Sequence, residues 1–420
     1  MPAHPPPALK GPGGAFMAPL RLAAAGMAGT LRFDDTEIAF RSKSDADLRR
    51  SHLLFRAFGH PWLVKLGTWL LRLSLALHLP VRGLVKRTVF RQFCGGETLA
   101  ECQPTIAALW RYRIGTILDV ADEGHHGEAD FDATAAEIER TIDLAAGNPA
   151  IPFCVFKMSG VARVGLLEKV DAGTPLDDGE RAEWARVRGR VERVCARAHA
   201  KGVRIFIDAE ESWIQDAIDT LATEMMAAFN RTSAIVFNTI QLYRRGRLDF
   251  LRESHRRAAS GGYLLGLKLV RGAYMEKERA RAAARGEEPC ILPDKAATDA
   301  QYDAALAFAV QHLDRIALVA GTHNEPSTLL LAGLMDKARL RRDDPRVHFS
   351  QLLGMSDHIS YNLAAAGYNV AKYVPYGPVR SVVPYLTRRA EENTSIQGQA
   401  GRELTLVRAE RRRRRAAKAH

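Results

Sequence analysis

Short apolar runs of strand length recur along the second part of this chain and alternate with longer stretches of helical composition. The runs are IGTILDV from residue 114, IPFCVFKMS from 151, VRIFIDAE from 203, AIVFNTIQ from 234, LLGLKLVRG from 264, IALVAGTHN from 316, VHFSQLLG from 347 and NVAKYVPYG from 369. Between them lie segments such as GERAEWARVRGRVERVCARAHAKG and TDAQYDAALAFAVQHLDR, whose Ala, Arg and Glu content and spaced apolar residues suit amphipathic helices. Each run is continuously apolar rather than alternating, as expected of strands buried on both faces. Eight such runs separated by helices predict an α/β fold, a (β/α)8 barrel of the TIM type. A doubly wound open sheet is the runner-up, disfavoured by the count and by the lack of a glycine-rich phosphate loop after the first run. Residues 33–110, helical in composition, form an arm before the barrel at 111–400, and 401–420 read as a basic C-terminal tail.

The flanks alter this picture in three places. Residues 1–32 are rich in Pro, Gly and Ala and read as a disordered lead or a targeting segment, with Met17 and Met27 as alternative starts. Residues 61–80, PWLVKLGTWLLRLSLALHLP, are strongly apolar, but Lys65, Arg72 and His78 interrupt them, which argues for a core, lid or interfacial helix over a spanning one. Of the formal net charge of +12, seven cations against Glu410 place +6 in the last thirteen residues, so the body is only mildly basic. Such a run reads first as a solvated, frayed helix end. The body carries no zinc-finger or RNA-binding signature, and nucleic acid is not an expected partner.

The five cysteines at 94, 102, 154, 195 and 290 form no C-x-x-C pair, so neither a zinc site nor a disulfide framework is expected. No His, Asp and Glu cluster has metal-ligand spacing, His125 and His126 fit a loop, and no nucleophile elbow is present. In a barrel of this kind the site forms at the carboxyl ends of the strands. The polar residues there are Asp119, Lys157, Asp208 with Glu210, Gln241, Lys268 with Arg271, Thr322, His323 and Asn324, Gln351 and Tyr373. Any one of them is read most simply as a loop anchor or helix cap. Together they make a cationic, amide-rich mouth suited to a large anionic cofactor and a carboxylate substrate, because buried cations are costly without anionic partners. Gly272 and Ala273, directly after Arg271, let the backbone approach a ligand such as a pyrophosphate. The adjacent Arg388 and Arg389, one helical turn after Tyr385, repel each other unless an anion lies between or beside them.

The motifs KLVRGAYMEKER, GTHN, FSQLLGM, YVPYGPV and PYLTRRAEEN, in this order, resemble the proline dehydrogenase family, and VFRQFCGGET at 89–98 resembles the arm-to-barrel junction of its monofunctional, eukaryote-like branch. The resemblance runs from about residue 33 to 400 and implies a distorted barrel holding FAD non-covalently. The implied activity is oxidation of L-proline to Δ1-pyrroline-5-carboxylate, with electrons passed to a quinone. The chain's length leaves no room for a fused aldehyde dehydrogenase half, so a single activity is expected. By motif match, Arg388, Arg389 and Lys157 bind the proline carboxylate, and Tyr373 and Tyr385 wall its ring. Asp208 stands beside the substrate and holds Lys157 or the ring nitrogen, and Glu392 pairs with one of the arginines. Asp208, Lys268 and Tyr373 are the expected catalytic group. Gln241 and Lys268 touch the flavin, Arg271, Gly272 and Ala273 its pyrophosphate side, and Thr322, His323 and Asn324 the rest of the dinucleotide.

A quinone acceptor implies peripheral membrane contact, through residues 61–80 or the Arg-rich tail. The location follows the host: cytoplasm or the inner face of the cytoplasmic membrane in a bacterium, the matrix side of the mitochondrial inner membrane in a eukaryote. Three rival readings remain: the same fold acting on 4-hydroxyproline, a catalytically silent barrel that binds a partner, and a lyase or aldolase using Lys157 or Lys268 as a Schiff base. Oligomeric state is not legible in the sequence.

Overall fold

The structure is a computed structural model and describes residues 31–58, 60, 62–63, 66–67, 69, 82–121, 127–395 and 399–419, without the side chains of 82, 84, 390–395, 399–400 and 419. The lead segment, the His125–His126 loop and most of 61–80 therefore lie outside the described residues.

Eight parallel strands close into a barrel in sequence order: β1 Ile114–Val120, β2 Phe153–Lys157, β3 Arg204–Asp208, β4 Val236–Gln241, β5 Leu265–Val270, β6 Ile316–Gly321, β7 Val347–Leu352 and β8 Val370–Tyr376, which pairs with β1. All eight runs expected from the sequence are strands. The open-sheet alternative is excluded by the β1–β8 ladder from Ile114↔Val370 to Val120↔Tyr376.

The arm begins with α1 (Thr36–Phe40) and α2 (Asp45–Phe58), passes through helical turns over 82–93 and ends in α3 (Leu99–Trp110), capped by the Thr98 side chain. Around the barrel follow α4 (Glu128–Ala145), α5 (Val164–Asp171), α6 (Asp178–Lys201), α7 (Ser212–Phe229), α8 (Arg247–Gly261), α9 (Met275–Arg285), α10 (Lys295–Gln311), α11 (Glu325–Lys337), α12 (Asp357–Ala365) and α13 (Val379–Ser395). Local signals set their ends: α6 opens on an Asp177–Glu180 capping box and closes at Gly202 (φ 64°), and Asn324 caps α11 by accepting from the Ser327 amide.

Side chains of one strand alternate between the barrel interior and the surrounding helices. Inside, Ile117, Phe153, Val155, Phe206, Phe237, Val319, Ala371 and Tyr373 form one apolar cluster. The Phe153 and Phe206 rings stack at 4.6 Å, and Phe237 meets both edge-on. This plug is the floor on which the polar mouth rests. The outward set, including Leu118, Cys154, Ile205, Ile207, Leu267, Leu269, Leu318 and Val374, packs under the helices.

The C-terminal segment departs from expectation. Rather than a solvated tail, the final residues form α14 (Gln399–Ala419), docked on α1 and α2. Leu406 and Val407 are buried with Ala39, Phe40 and Leu48, and Glu410 is fully buried beneath Arg413 and Arg414. Arg414 also reaches Asp45 at 3.0 Å. Part of the charge run is thus spent inside the fold. No described helix is long and apolar enough to cross a membrane.

Replacing Leu406 by Ala should lower the unfolding free energy by about 2–4 kcal/mol, the range for deleting a packed leucine side chain. Urea denaturation measures it, and a change near zero would show that α14 is not docked.

Candidate active site

Inward positions at the strand ends place charged residues directly above the aromatic plug. In the barrel register Lys157 stands opposite Asp208, and Thr239 opposite Lys268. The Lys268 ammonium is hydrogen-bonded to Asp208 Oδ1, which also accepts from Thr239 Oγ1 at 3.0 Å, while Tyr373 donates to Asp208 Oδ2 at 2.9 Å. Lys268 Nζ sits 4.8 Å from the Tyr373 ring centroid and 5.0 Å from that of Phe206. Lys157 Nζ lies 3.0 Å from Asp119 Oδ2.

The expected catalytic group of Asp208, Lys268 and Tyr373 is therefore brought together. One expected contact is different: the lysine hydrogen-bonded to Asp208 is Lys268, and Lys157 rests on Asp119. The mouth is also not a set of cations awaiting an anion. Two lysines and two aspartates neutralise each other, which is how the protein keeps four charges where water is scarce.

The electrostatics follow from that arrangement. Burial opposes ionisation of Asp208, but the charges of Lys268 and Lys157 and the hydrogen bonds from Lys268 and Tyr373 outweigh it and hold the carboxyl below its ordinary value. Burial, with the Asp119 and Asp208 charges, drives the Tyr373 phenol well above its ordinary value, so the hydroxyl keeps its proton and serves as a donor. Glu210 is a different kind of acid. It is buried where it accepts from the Ser159 amide at 2.9 Å and from the Ser159 hydroxyl, and burial pushes it up to about 7.

The residues expected along the cofactor are placed unevenly. Gln241 Nε2 donates to the Glu210 carbonyl at 2.6 Å. The Arg271 guanidinium is held at three nitrogens, by Asp299 Oδ1 (2.8 Å), Thr322 Oγ1 (2.7 Å) and Ser327 Oγ (2.8 Å), over the Tyr302 ring. Gly272 has φ 135°, and an added Cβ would stand 2.2 Å from the Tyr243 ring. Its close backbone approach is thus to a tyrosine of the protein itself, and Ala273 beside it is exposed. Asn324 spends its oxygen as the α11 cap. His323 Nδ1 is 2.9 Å from Ser356 Oγ. Burial, then the charges of Lys372, Arg389, His358 and Arg271, push its imidazole well below the ordinary value, so it is neutral.

Arg388, Arg389 and Tyr385 lie on α13, directly after β8. Arg389 is 6% exposed with its guanidinium 5.0 Å from the Tyr385 ring centroid, and its charge is one of those that lower the His323 imidazole. Arg388 is half-buried. Tyr385 packs with Phe55, Phe58, Phe93 and Met355, which joins the arm to the mouth. The expected Glu392 pair lies outside the described side chains.

Sequence reasoning named Asp119 at the mouth without giving it a role and left Thr239 out. Both sit an even number of residues from an inward apolar partner on their own strand, Ile117 and Phe237, and that period was the signal for them. Among the described residues no group of three or more His, Cys, Asp or Glu could hold a metal ion.

A closed parallel barrel with its reactive side chains gathered at the carboxyl mouth defines a (β/α)8 enzyme scaffold. A family model described as proline dehydrogenase matches residues 102–402. The chain belongs to the proline dehydrogenase family, among the oxidoreductases of proline catabolism.

It is 38% identical over 76% of its length to the carbapenem antibiotics biosynthesis protein CarD of Pectobacterium carotovorum, covering 82% of that protein. It is 30% identical over 90% of its length to Dictyostelium discoideum proline dehydrogenase 1, mitochondrial (74% of that protein), and 32% identical over 93% to Xenopus laevis hydroxyproline dehydrogenase (92% of that protein). Among solved structures, proline utilization A from Bdellovibrio bacteriovorus, inactivated by N-propargylglycine, superposes with a TM-score of 0.66 at 19% identity. That match covers 91% of this chain, which spans 38% of the larger one, and supports the fold.

Raising the pH from 4.5 to about 7 should destabilise the wild type relative to Glu210→Gln. The folded state holds the Glu210 proton in that window and the unfolded state has released it, so stability falls as pH rises. Denaturant midpoints across the window measure the difference, and a constant offset would contradict the assignment.

Proposed function

We propose that this chain oxidises L-proline to Δ1-pyrroline-5-carboxylate with FAD bound non-covalently over the barrel mouth, and that the electrons pass to a quinone. The observation that supports it best is the linked Tyr373–Asp208–Lys268 group on the aromatic plug, with the buried Arg389 on the helix that follows β8.

The donor chemistry fits an anionic dinucleotide. Gln241, Lys268, Arg271, His323 and Asn324 belong to three successive strand ends, and both Arg271 and Asn324 keep N–H groups beyond those engaged within the protein. These residues, with Gly272, Ala273 and Thr322 at the rim, would hold the cofactor. When bound, FAD supplies the two-electron acceptor that no side chain of the mouth provides.

The protein's share is position and charge. Arg388 and Arg389 take the substrate carboxylate through charge-assisted hydrogen bonds, with Lys157 as a third cation steadied by Asp119. Tyr373 and Tyr385 wall the ring. Asp208 stays ionised, so it acts as an acceptor that fixes the Tyr373 hydroxyl and the Lys268 ammonium. Holding the substrate by its acid end aims the far ring carbon in one direction, and orientation of this kind supplies several orders of magnitude in rate. A second reading, 4-hydroxyproline as substrate, is favoured by the near full-length match to a hydroxyproline dehydrogenase.

The purified protein should show flavin absorbance that L-proline bleaches under anaerobic conditions, with kcat/KM for proline above that for 4-hydroxyproline. Replacing Arg389 by Met should raise KM about 10- to 100-fold, the worth of a hydrogen bond to a charged group. A colourless protein, or flavin that neither imino acid bleaches, would overturn the reading.

Delivery to a quinone calls for a membrane-facing surface, and the arm offers one. Leu53, Trp62, Leu66 and Trp69 are 45–65% exposed, and Arg408, Arg412 and Arg415 of α14 are exposed as well. Burial, then the charges of Arg411, Arg408 and Arg56, lower the His52 imidazole from its ordinary value, which marks a positive face there. Such a surface suits anionic lipid. The protein should float with anionic vesicles at low salt, and Trp62→Ser with Trp69→Ser should reduce flotation. Failure to float at any salt concentration removes the membrane contact and leaves the catalytic reading untouched.

A further inference from the structure

We propose that the C-terminal helix acts as a positioning clamp on the mouth: Glu403, through the backbone of Ser356, fixes the orientation and tautomer of His323 at the end of β6. Its consequence for flavin binding rests on the reading above, whereas the clamp itself belongs to the protein alone.

Ser356, ahead of α12, carries the strain that leads to this inference. It sits in the left-handed region (φ 50°, ψ 42°) and is completely buried. Glycine takes that conformation without steric cost, and a residue with a Cβ persists there only where its surroundings over-determine it. What serine adds is Oγ, and Ser356 Oγ meets His323 Nδ1 at 2.9 Å.

The surroundings supply the restraint from three directions. From α14, the buried Glu403 carboxylate accepts the Ser356 amide. From β8, Lys372 Nζ donates to the Met355 carbonyl at 2.5 Å and pairs with Asp357 at 3.0 Å. From the arm, Lys43 reaches Asp357 at 3.3 Å. Three consecutive residues, 355 to 357, are thereby fixed by three separate parts of the chain.

The restraint determines how His323 is presented. A backbone amide can only donate, and the Leu352 amide lies 3.5 Å from His323 Nε2, so Nε2 is the acceptor. The ring proton is then on Nδ1 and is donated to Ser356 Oγ. Burial and the charges of Lys372, Arg389 and Arg271 keep the ring neutral, so the Leu352 amide and the Ser356 hydroxyl together select between its two tautomers.

Selectively 15N-labelled histidine in the flavin-free protein, read by NMR, tests the clamp without the cofactor. Wild type and Glu403→Gln, which keeps an acceptor, should show a neutral His323 protonated at Nδ1. Ser356→Gly and Glu403→Leu should lose that signature. Flavin-free Ser356→Gly should melt at or above the wild-type temperature, because glycine relieves the left-handed strain, and its Kd for FAD should rise about five- to tenfold, the worth of one hydrogen bond.

A purely structural Ser356 would give the higher melting temperature with tautomer and FAD affinity unchanged, and that result overturns the proposal. Should Glu403→Leu fail to fold, Ser356→Gly still decides. A wild type that takes no FAD while its His323 signature responds to the substitutions would defeat the flavin reading and leave the clamp standing.

Discussion

Closure of the barrel is the constraint on which everything else depends. Once β1 pairs with β8, the register of all eight strands is fixed, and a period of two decides which side chain of each strand enters the interior. The inward side chains at the mouth then include Asp119, Lys157, Asp208, Thr239, Lys268 and Tyr373. Their four charges sum to zero. An isolated buried charge is prohibitively costly, whereas stripping one member from a hydrogen-bonded pair costs about 3–5 kcal/mol, so each member enforces the placement of the other. This set is a preorganised polar surface before any ligand arrives, and that is the condition for electrostatic assistance without reorganisation at the moment of reaction.

Much of this was legible in the sequence because a parallel barrel writes itself as repeated apolar runs, each ending in a polar residue. The strands and the strand-end positions of Asp208, Lys268 and Tyr373 could be read that way, whereas their grouping was implied by the motif resemblance. The partner of each charge could not. Asp119 and Lys157 are 38 residues apart and Asp208 and Lys268 are 60 apart. Only the register brings such pairs together, and no local pattern encodes it. Arg271 shows the same limit. Three of its nitrogens are held by Asp299, Thr322 and Ser327, contributed by the elements that follow, and no local pattern names those partners.

The C-terminal helix misled for a related reason. Its run of arginines dominates the composition, and a charge run is ordinarily a solvated face. The informative positions were not the arginines: Leu406 and Val407, with Glu410 one turn later, fall on one side of the helix and are buried against α1 and α2. Helical spacing therefore carried the signal that net charge concealed.

Strand β8 shows why arm, barrel and C-terminal helix form one mechanical unit. Its neighbouring residues Lys372 and Tyr373 point in opposite directions, the tyrosine into the mouth to donate to Asp208, the lysine outward to Asp357 and the Met355 carbonyl. Lys372 is fully buried, so its charge is tolerable only in that place. A slip of one residue would drive the ammonium into the barrel beside Lys268 and leave Asp357 facing Lys43 alone. The two networks consequently pin the same register from both faces of the strand. The arm completes the outer network through Lys43, and α14 completes it through Glu403, which holds the Ser356 backbone between Met355 and Asp357. The segments that flank the barrel thus hold β8 and the β7–α12 turn from outside, against the same residues whose inward neighbours build the mouth.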